Sequence, residues 1–294
     1  MENNSIKKIL ISTGLSEKDK ITHYFDHVRD SKDIGVLKCR KTGIFFLSKT
    51  THVDISNYKN KKKFRYFGNN DRKEAISAAS EDTKRRFRMV KKIVYKKKWL
   101  DIGTGAGAIL DKLKNFSSEC SAVEPNKIMG AKLKRLGYKI YNSSKFAKKK
   151  YYDVVTLFHV FEHMKNPIKE LKVIKSLMKK DSKIIIEVPH ANDFLIKTLN
   201  LQEFKEFTFW SEHLILHVKK SLGVFLEKAG FEVEKIFGVQ RYSLINHLYW
   251  IIKKKPKGHI IWKPLRNNFL EKFYEKFLSI INRNDTLIIF AKKK

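Results

Sequence analysis

The sequence predicts an α/β fold built on a doubly wound, mainly parallel sheet, and three observations carry that expectation. The run Trp99-Leu100-Asp101-Ile102-Gly103-Thr104-Gly105-Ala106-Gly107 reads as a buried strand breaking into a glycine-rich turn and then a helix, about Ala108 to Lys114. About twenty residues on, Cys120-Ser121-Ala122-Val123-Glu124-Pro125 reads as a second short strand with an acid at its tip. Downstream, apolar strands at 152–158 and 183–188 alternate with a helical pattern from Pro167 to Lys179, the order that βαβ units require.

In chain order, residues 1–60 read as a small appendage of short strands and turns. Gly35 to Cys39 and Gly43 to Leu47 form a candidate hairpin around Arg40-Lys41-Thr42. Residues 61–239 carry the ligand-binding sheet. They open with a helical pattern from about Arg72 to Tyr95, where Ala75, Ile76, Ala79, Phe87, Val90 and Val94 recur among charged residues. Strands follow at Leu100, Val123, Tyr138 to Tyr141, Val155, Ile185 and Phe231 to Val239. Residues 240–283, rich in Trp, Tyr, Phe, Ile and Lys, read as a helical cap insertion, and 284–294 as a final edge strand.

At 294 residues and 42% hydrophobic content the chain can bury a sizeable core. No stretch approaches the roughly 20 apolar residues of a membrane span, and the start Met1-Glu2-Asn3-Asn4-Ser5-Ile6 lacks a signal peptide's apolar region, so a cytoplasmic location is expected. Cys39 and Cys120 are too few for a disulfide framework and read as free thiols. The formal charge of +33 invites a polyanionic partner. Yet 11 Arg leave 52 Lys among the 63 basic residues, spread over almost every segment, whereas nucleic-acid readout favours Arg. Nucleic acid is therefore not the expected partner, and no obligate protein partner is evident. The clusters Lys61-Lys62-Lys63, Lys96-Lys97-Lys98, Lys148-Lys149-Lys150 and Lys253-Lys254-Lys255 would still attract a phosphate-bearing acceptor or an anionic membrane surface.

The glycine loop alone is ambiguous, since Gly103, Gly105 and Ala108 also satisfy a dinucleotide fingerprint, and Glu124 suits the ribose diol of NAD or of S-adenosylmethionine. A third match separates them: Tyr152-Asp153-Val154-Val155-Thr156-Leu157-Phe158-His159 is an Asp-led apolar strand ending in a polar cluster. With it, the chain from about residue 85 to its C-terminus resembles the class I S-adenosylmethionine-dependent methyltransferases. The resemblance implies a Rossmann-like seven-stranded sheet whose last two strands, Phe231 to Val239 and Thr286 to Ala291, pair antiparallel at the edge. It implies S-adenosyl-L-methionine as cofactor, held by Asp101, Gly103, Thr104, Gly105, Gly107, Glu124, Pro125, Phe158 and His159. Within the family, Gly238 to Trp250 and Lys255-Pro256-Lys257-Gly258-His259 look like a bacterial subgroup associated with sugar and surface-polysaccharide modification. A sugar-containing small molecule is thus the implied acceptor, with Gln240, Arg241, Asn246 and His247 as a polar binding surface. Cys39-Arg40-Lys41-Thr42-Gly43 resembles that subgroup's zinc module, but Thr42 stands where a second cysteine belongs, so no metal is expected.

Methyl transfer is a one-step displacement that mainly needs alignment of acceptor, methyl carbon and sulfur. A base is required when the acceptor is a hydroxyl or an acidic carbon. Phe209-Trp210-Ser211-Glu212-His213-Leu214 resembles the aromatic-x-Glu-His motif of sugar C-methyltransferases, which implies acid/base roles for Glu212 and His213, with Trp210 replacing a tyrosine. His159, at the mouth of its strand, is the third catalytic candidate, and His190 and His217 are weaker ones. His159-Val160-Phe161-Glu162-His163 also spells H-x-x-E-H, but that zinc peptidase motif needs a continuous helix, which a preceding strand and Asn166-Pro167 exclude. Two alternatives stay open. An RNA methyltransferase would carry an Asn/Asp-Pro-Pro-aromatic cluster where Phe158-His159-Val160 stands, and a non-catalytic relative would not need intact Asp101, glycines and Glu124.

Overall fold

The computed structural model describes residues 4–53 and 71–294. Three short strands come first, β1 (Ile21–Phe25), β2 (Val36–Cys39) and β3 (Phe45–Leu47). After them follow β4 (Lys98–Ile102), β5 (Glu119–Val123), β6 (Lys139–Tyr141), β7 (Tyr152–Phe158), β8 (Met178–Pro189), β9 (Ile215–Leu216), β10 (Phe231–Val239) and β11 (Thr286–Lys293). Seven of them form one sheet in the order β10-β11-β8-β7-β4-β5-β6. It is parallel from β6 through β8, while β11 runs antiparallel to both β8 and β10. The chain fills one side of β4 with β5 and β6, then returns to fill the other with β7 and β8. Strand order therefore reverses between β4 and β7, and their carboxyl ends open the crevice where such sheets bind ligands.

Both faces of the sheet are covered, which explains why its strands are almost continuously apolar. Alternate residues feed two cores: Leu100, Val155, Ile184 and Ile186 point to one face, Trp99, Val154, Ile185 and Ile288 to the other.

The candidate hairpin forms, with Val36 opposite Leu47 and Lys38 opposite Phe45. Its sheet, β1-β2-β3-β9, is completed from far along the chain, because Phe45 and Phe46 pair with Leu216 and Ile215. Cys39 is buried there, its thiol 3.1 Å from Ser16 Oγ. The helix expected from Arg72 to Tyr95 is instead two, Arg72–Ala78 and Ser80–Val94, meeting at Ala79. Residues 240–283 are helical over Leu244–Lys253, Gly258–Ile261 and Asn268–Ile280. Among the described residues no helix is long and apolar enough to cross a membrane. The cluster Lys61-Lys62-Lys63 lies outside the described residues.

Candidate active site

The glycine loop lies at the carboxyl end of β4. Gly103 has φ +72° and its N–H donates to the Val123 carbonyl (2.8 Å); a Cβ there would sit 2.3 Å from the Val160 side chain, so only glycine fits. At the tip of β5, buried Glu124 accepts from the N–H groups of Gly105 and Asn126, each at 2.8 Å. Burial pushes its carboxyl up to about 7 in spite of those two donors. Asp101 is also buried and pushed up to about 6 by desolvation, although it accepts from Thr156 Oγ1 at 2.6 Å. Half-buried Pro125 follows Glu124 out of the strand.

A small cavity beside the loop is lined by Asp101, Gly103, Thr104, Ile109 and Phe158, and the helix Ser80–Val94 closes it with Thr83 and Arg86. The preceding helix is pinned over the loop by Arg72, whose Nε donates to the Ala106 carbonyl (2.9 Å) and whose guanidinium pairs with Asp111 (2.7 Å). These residues fit an adenosyl sulfonium: a loop with glycine at every second position, apolar Ile109 and Phe158 for a ring face, and a buried carboxylate for a ribose diol.

His159 stands at the mouth of β7 with φ +55°, a strained conformation for a residue with a side chain. Its Nδ1 lies 3.2 Å from Glu162 Oε1, and its Nε2 lies 3.2 Å from Glu187 Oε1 and 2.9 Å from an Arg241 guanidinium nitrogen. With Arg241 donating to Nε2, neutral His159 carries its proton on Nδ1, toward Glu162. Glu187 is fully buried on β8 and paired with Arg85 (2.8 Å) and Arg86 (2.6 Å). Burial would raise its carboxyl, but Arg86, His159 and Arg85 together hold it well below the usual range. Arg86 also stacks on Phe158, 4.8 Å from the ring centre. Arg241 ties the network to the helix Ser80–Val94 through an ion pair with Asp82 and is itself held by Asp285, which accepts the Arg241 and Tyr242 N–H groups.

His213 lies apart from His159, on the far side of Glu162. His213 packs against Trp210 and His163, ring centres 5.3 and 5.1 Å away, and desolvation, with the neighbouring His163, pushes it down to about 3. That argues against His213 as a general base near neutral pH. His159 and His213 both lie close to Glu162, fully buried, which burial would raise but His159, His163 and His213 lower to about 2. Donor atoms of Glu162, His163 and His213 lie within 4.8 Å of one another, a carboxylate and imidazole set of the kind zinc accepts. The H-x-x-E-H segment is a strand end and a short 3-10 turn, Phe161–His163, as its sequence context required.

Other candidates are committed to structure. His190 Nδ1 lies 2.9 Å from the Asn284 carbonyl and His217 stacks on Phe161, both buried and both pushed down to about 4 by desolvation. Of the polar quartet expected to meet the acceptor, Gln240 donates to the Tyr242 carbonyl and Asp285, Asn246 accepts from the His259 N–H, and His247 Nδ1 lies 2.7 Å from the Tyr274 hydroxyl. These three fasten the cap; Arg241 reaches the site. Sequence reasoning missed Glu187. Its signal was a lone acid inside Ile184-Ile185-Ile186-Glu187-Val188, since a carboxylate in so apolar a strand must be paired.

The family model for a methyltransferase domain matches residues 69–236. The chain belongs to the methyltransferase-domain family. The fold of this methyltransferase is similar to that of a SAM-dependent methyltransferase from Archaeoglobus fulgidus (23% identity, TM-score 0.50, covering 78% of this chain and 96% of that one). It is likewise similar to a SAM-dependent methyltransferase from Thermotoga maritima (17% identity, TM-score 0.50, 76% and 94%). Comparison with curated proteins gives no match. S-adenosylmethionine is the cofactor of this methyltransferase.

Proposed function

We propose that this enzyme methylates a hydroxyl of a small-molecule acceptor, a sugar carried on a nucleotide, lipid or glycan, in cytoplasmic steps of surface-polysaccharide biosynthesis. The single observation that carries the reading is His159, held in a strained conformation beside Phe158 between two buried carboxylates and Arg241. S-adenosylmethionine supplies an electrophilic methyl group on a sulfonium. His159 Nε2 takes the acceptor's hydroxyl proton as the oxygen attacks, and Glu162 and Glu187 stabilise the imidazolium that results. Arg241 must yield Nε2 for this step, so an acceptor hydroxyl takes the place of its donor hydrogen bond. The guanidinium then stays beside the acceptor, where the Asp82 pair anchors it. His213, packed between Trp210 and His163 where charging it is costly, is not assigned the proton transfer. The polar and charged lining of this mouth supports a hydroxyl-rich acceptor over an apolar one.

The test is acceptor profiling with methyl-labelled cofactor against nucleotide sugars, lipid-linked sugars and RNA. Label transfer to a sugar hydroxyl, lost in His159→Ala, is expected. Transfer confined to RNA would replace the sugar reading.

A further inference from the structure

Twelve of the nineteen large apolar side chains exposed among the described residues lie between Leu248 and Ile281, within the helical cap. The helix Asn268–Ile280 shows why this is not stray exposure. Phe269, Phe273, Phe277 and Ile280 recur at spacings of four, four and three and so share one face. Phe269 is 77%, Phe273 68% and Ile280 74% exposed. The inward side of the same helix is already satisfied by buried Leu278 and by Tyr274, whose hydroxyl meets His247. The outward stripe thus serves no core. Ile252, Ile260, Ile261 and Leu265, elsewhere in the same insertion, are exposed as well.

Basic residues frame this apolar area. Lys253, Lys255, Lys257, Lys263, Lys272 and Lys276 are all exposed. Between residues 248 and 281 the acids are Glu271 and Glu275, and Glu271 is turned inward to accept the Leu244 N–H. We infer that the outer face of the helical cap docks on an anionic lipid bilayer, with Phe269, Phe273, Phe277 and Ile280 entering the headgroup and acyl boundary and the lysines meeting the headgroups. Lysine stems covering an apolar stripe while their ammonium groups reach outward suit that boundary. A second copy of the chain fits the face less well, because it would press two lysine-rimmed surfaces of a +33 molecule together. The docking goes beyond the acceptor assignment and holds whichever acceptor is used.

The experiment is co-sedimentation of the full chain, loaded with S-adenosylmethionine, with vesicles of phosphatidylcholine alone and of phosphatidylcholine with phosphatidylglycerol. Binding to the anionic vesicles should be at least about tenfold tighter and should weaken as salt rises. The double variant Phe269→Ser, Phe273→Ser should lose about tenfold or more of that binding, while its cofactor affinity by calorimetry stays at the wild-type value. Lys272→Ala with Lys276→Ala should weaken binding and flatten its salt dependence. No binding to either vesicle, or binding that the phenylalanine variants leave intact, overturns the inference. So does a concentration-dependent dimer in solution that Phe273→Ser dissociates.

Discussion

Glu187→Gln is the most searching single perturbation of the site. The carboxylate is fully buried, receives Arg85 at 2.8 and 2.9 Å and Arg86 at 2.6 and 3.1 Å, and lies 3.2 Å from His159 Nε2. Glutamine keeps the shape but removes the charge and turns an N–H toward one guanidinium. Breaking a buried pair from one side costs about 3–5 kcal/mol. Arg85 is partly exposed and retains Asp82, which places the loss toward the lower end. At about 1.6 °C per kcal/mol for a chain of 294 residues, the midpoint of thermal unfolding should fall by about 5–6 °C. Its pH dependence follows from the sign of the shift. Glu187 is held below its ordinary value of 4.5, so its contribution is present above that pH and is lost as the pH falls. The melting difference between wild type and variant should therefore shrink on acidification. A variant that melts within about 2 °C of wild type near pH 7 would refute the argument that this pair holds the crevice together.

Four further outcomes are expected. Glu124→Ala removes the carboxylate assigned to the ribose diol and should weaken S-adenosylmethionine binding at least about tenfold, or 1.5–3 kcal/mol, by calorimetry; unchanged affinity would move the ribose site elsewhere. Because burial holds Glu124 near 7 and hydrogen-bond donors favour its anion, cofactor binding in the wild type should release protons, with affinity rising as pH increases toward about 7 and levelling above. Calorimetry in buffers of different ionisation enthalpy reads that release, and proton uptake would contradict it. His159→Ala should lower turnover about 10²- to 10⁴-fold with little change in cofactor affinity, and His213→Ala should cost less; the reverse order would return the proton transfer to the Glu212-His213 pair. Gly103→Ala places a side chain at φ +72° and 2.3 Å from Val160, and a loss of about 2–4 kcal/mol in denaturant unfolding should follow.

The sheet and the backbone of the glycine loop were legible in the sequence, because both are local. Strand-loop-helix at Trp99 to Gly107 and strand-acid at Val123-Glu124 are contiguous runs whose glycines and apolar residues specify backbone shape without help from elsewhere. The acceptor side was legible only in fragments. Arg86, Asp82, His159, Glu162, Glu187 and Arg241 come from four separate segments, and only packing at the switch between β4 and β7 makes them one charged network. Protonation likewise belonged to the tertiary structure: His213 reads as a base in its motif, yet burial against Trp210 and His163 makes charging it costly. The cap carried an apolar pattern in either form. Which half of that pattern faces inward on Leu278 and which stays outward on Phe269 and Phe273 was decided by where the helix lies against its neighbours.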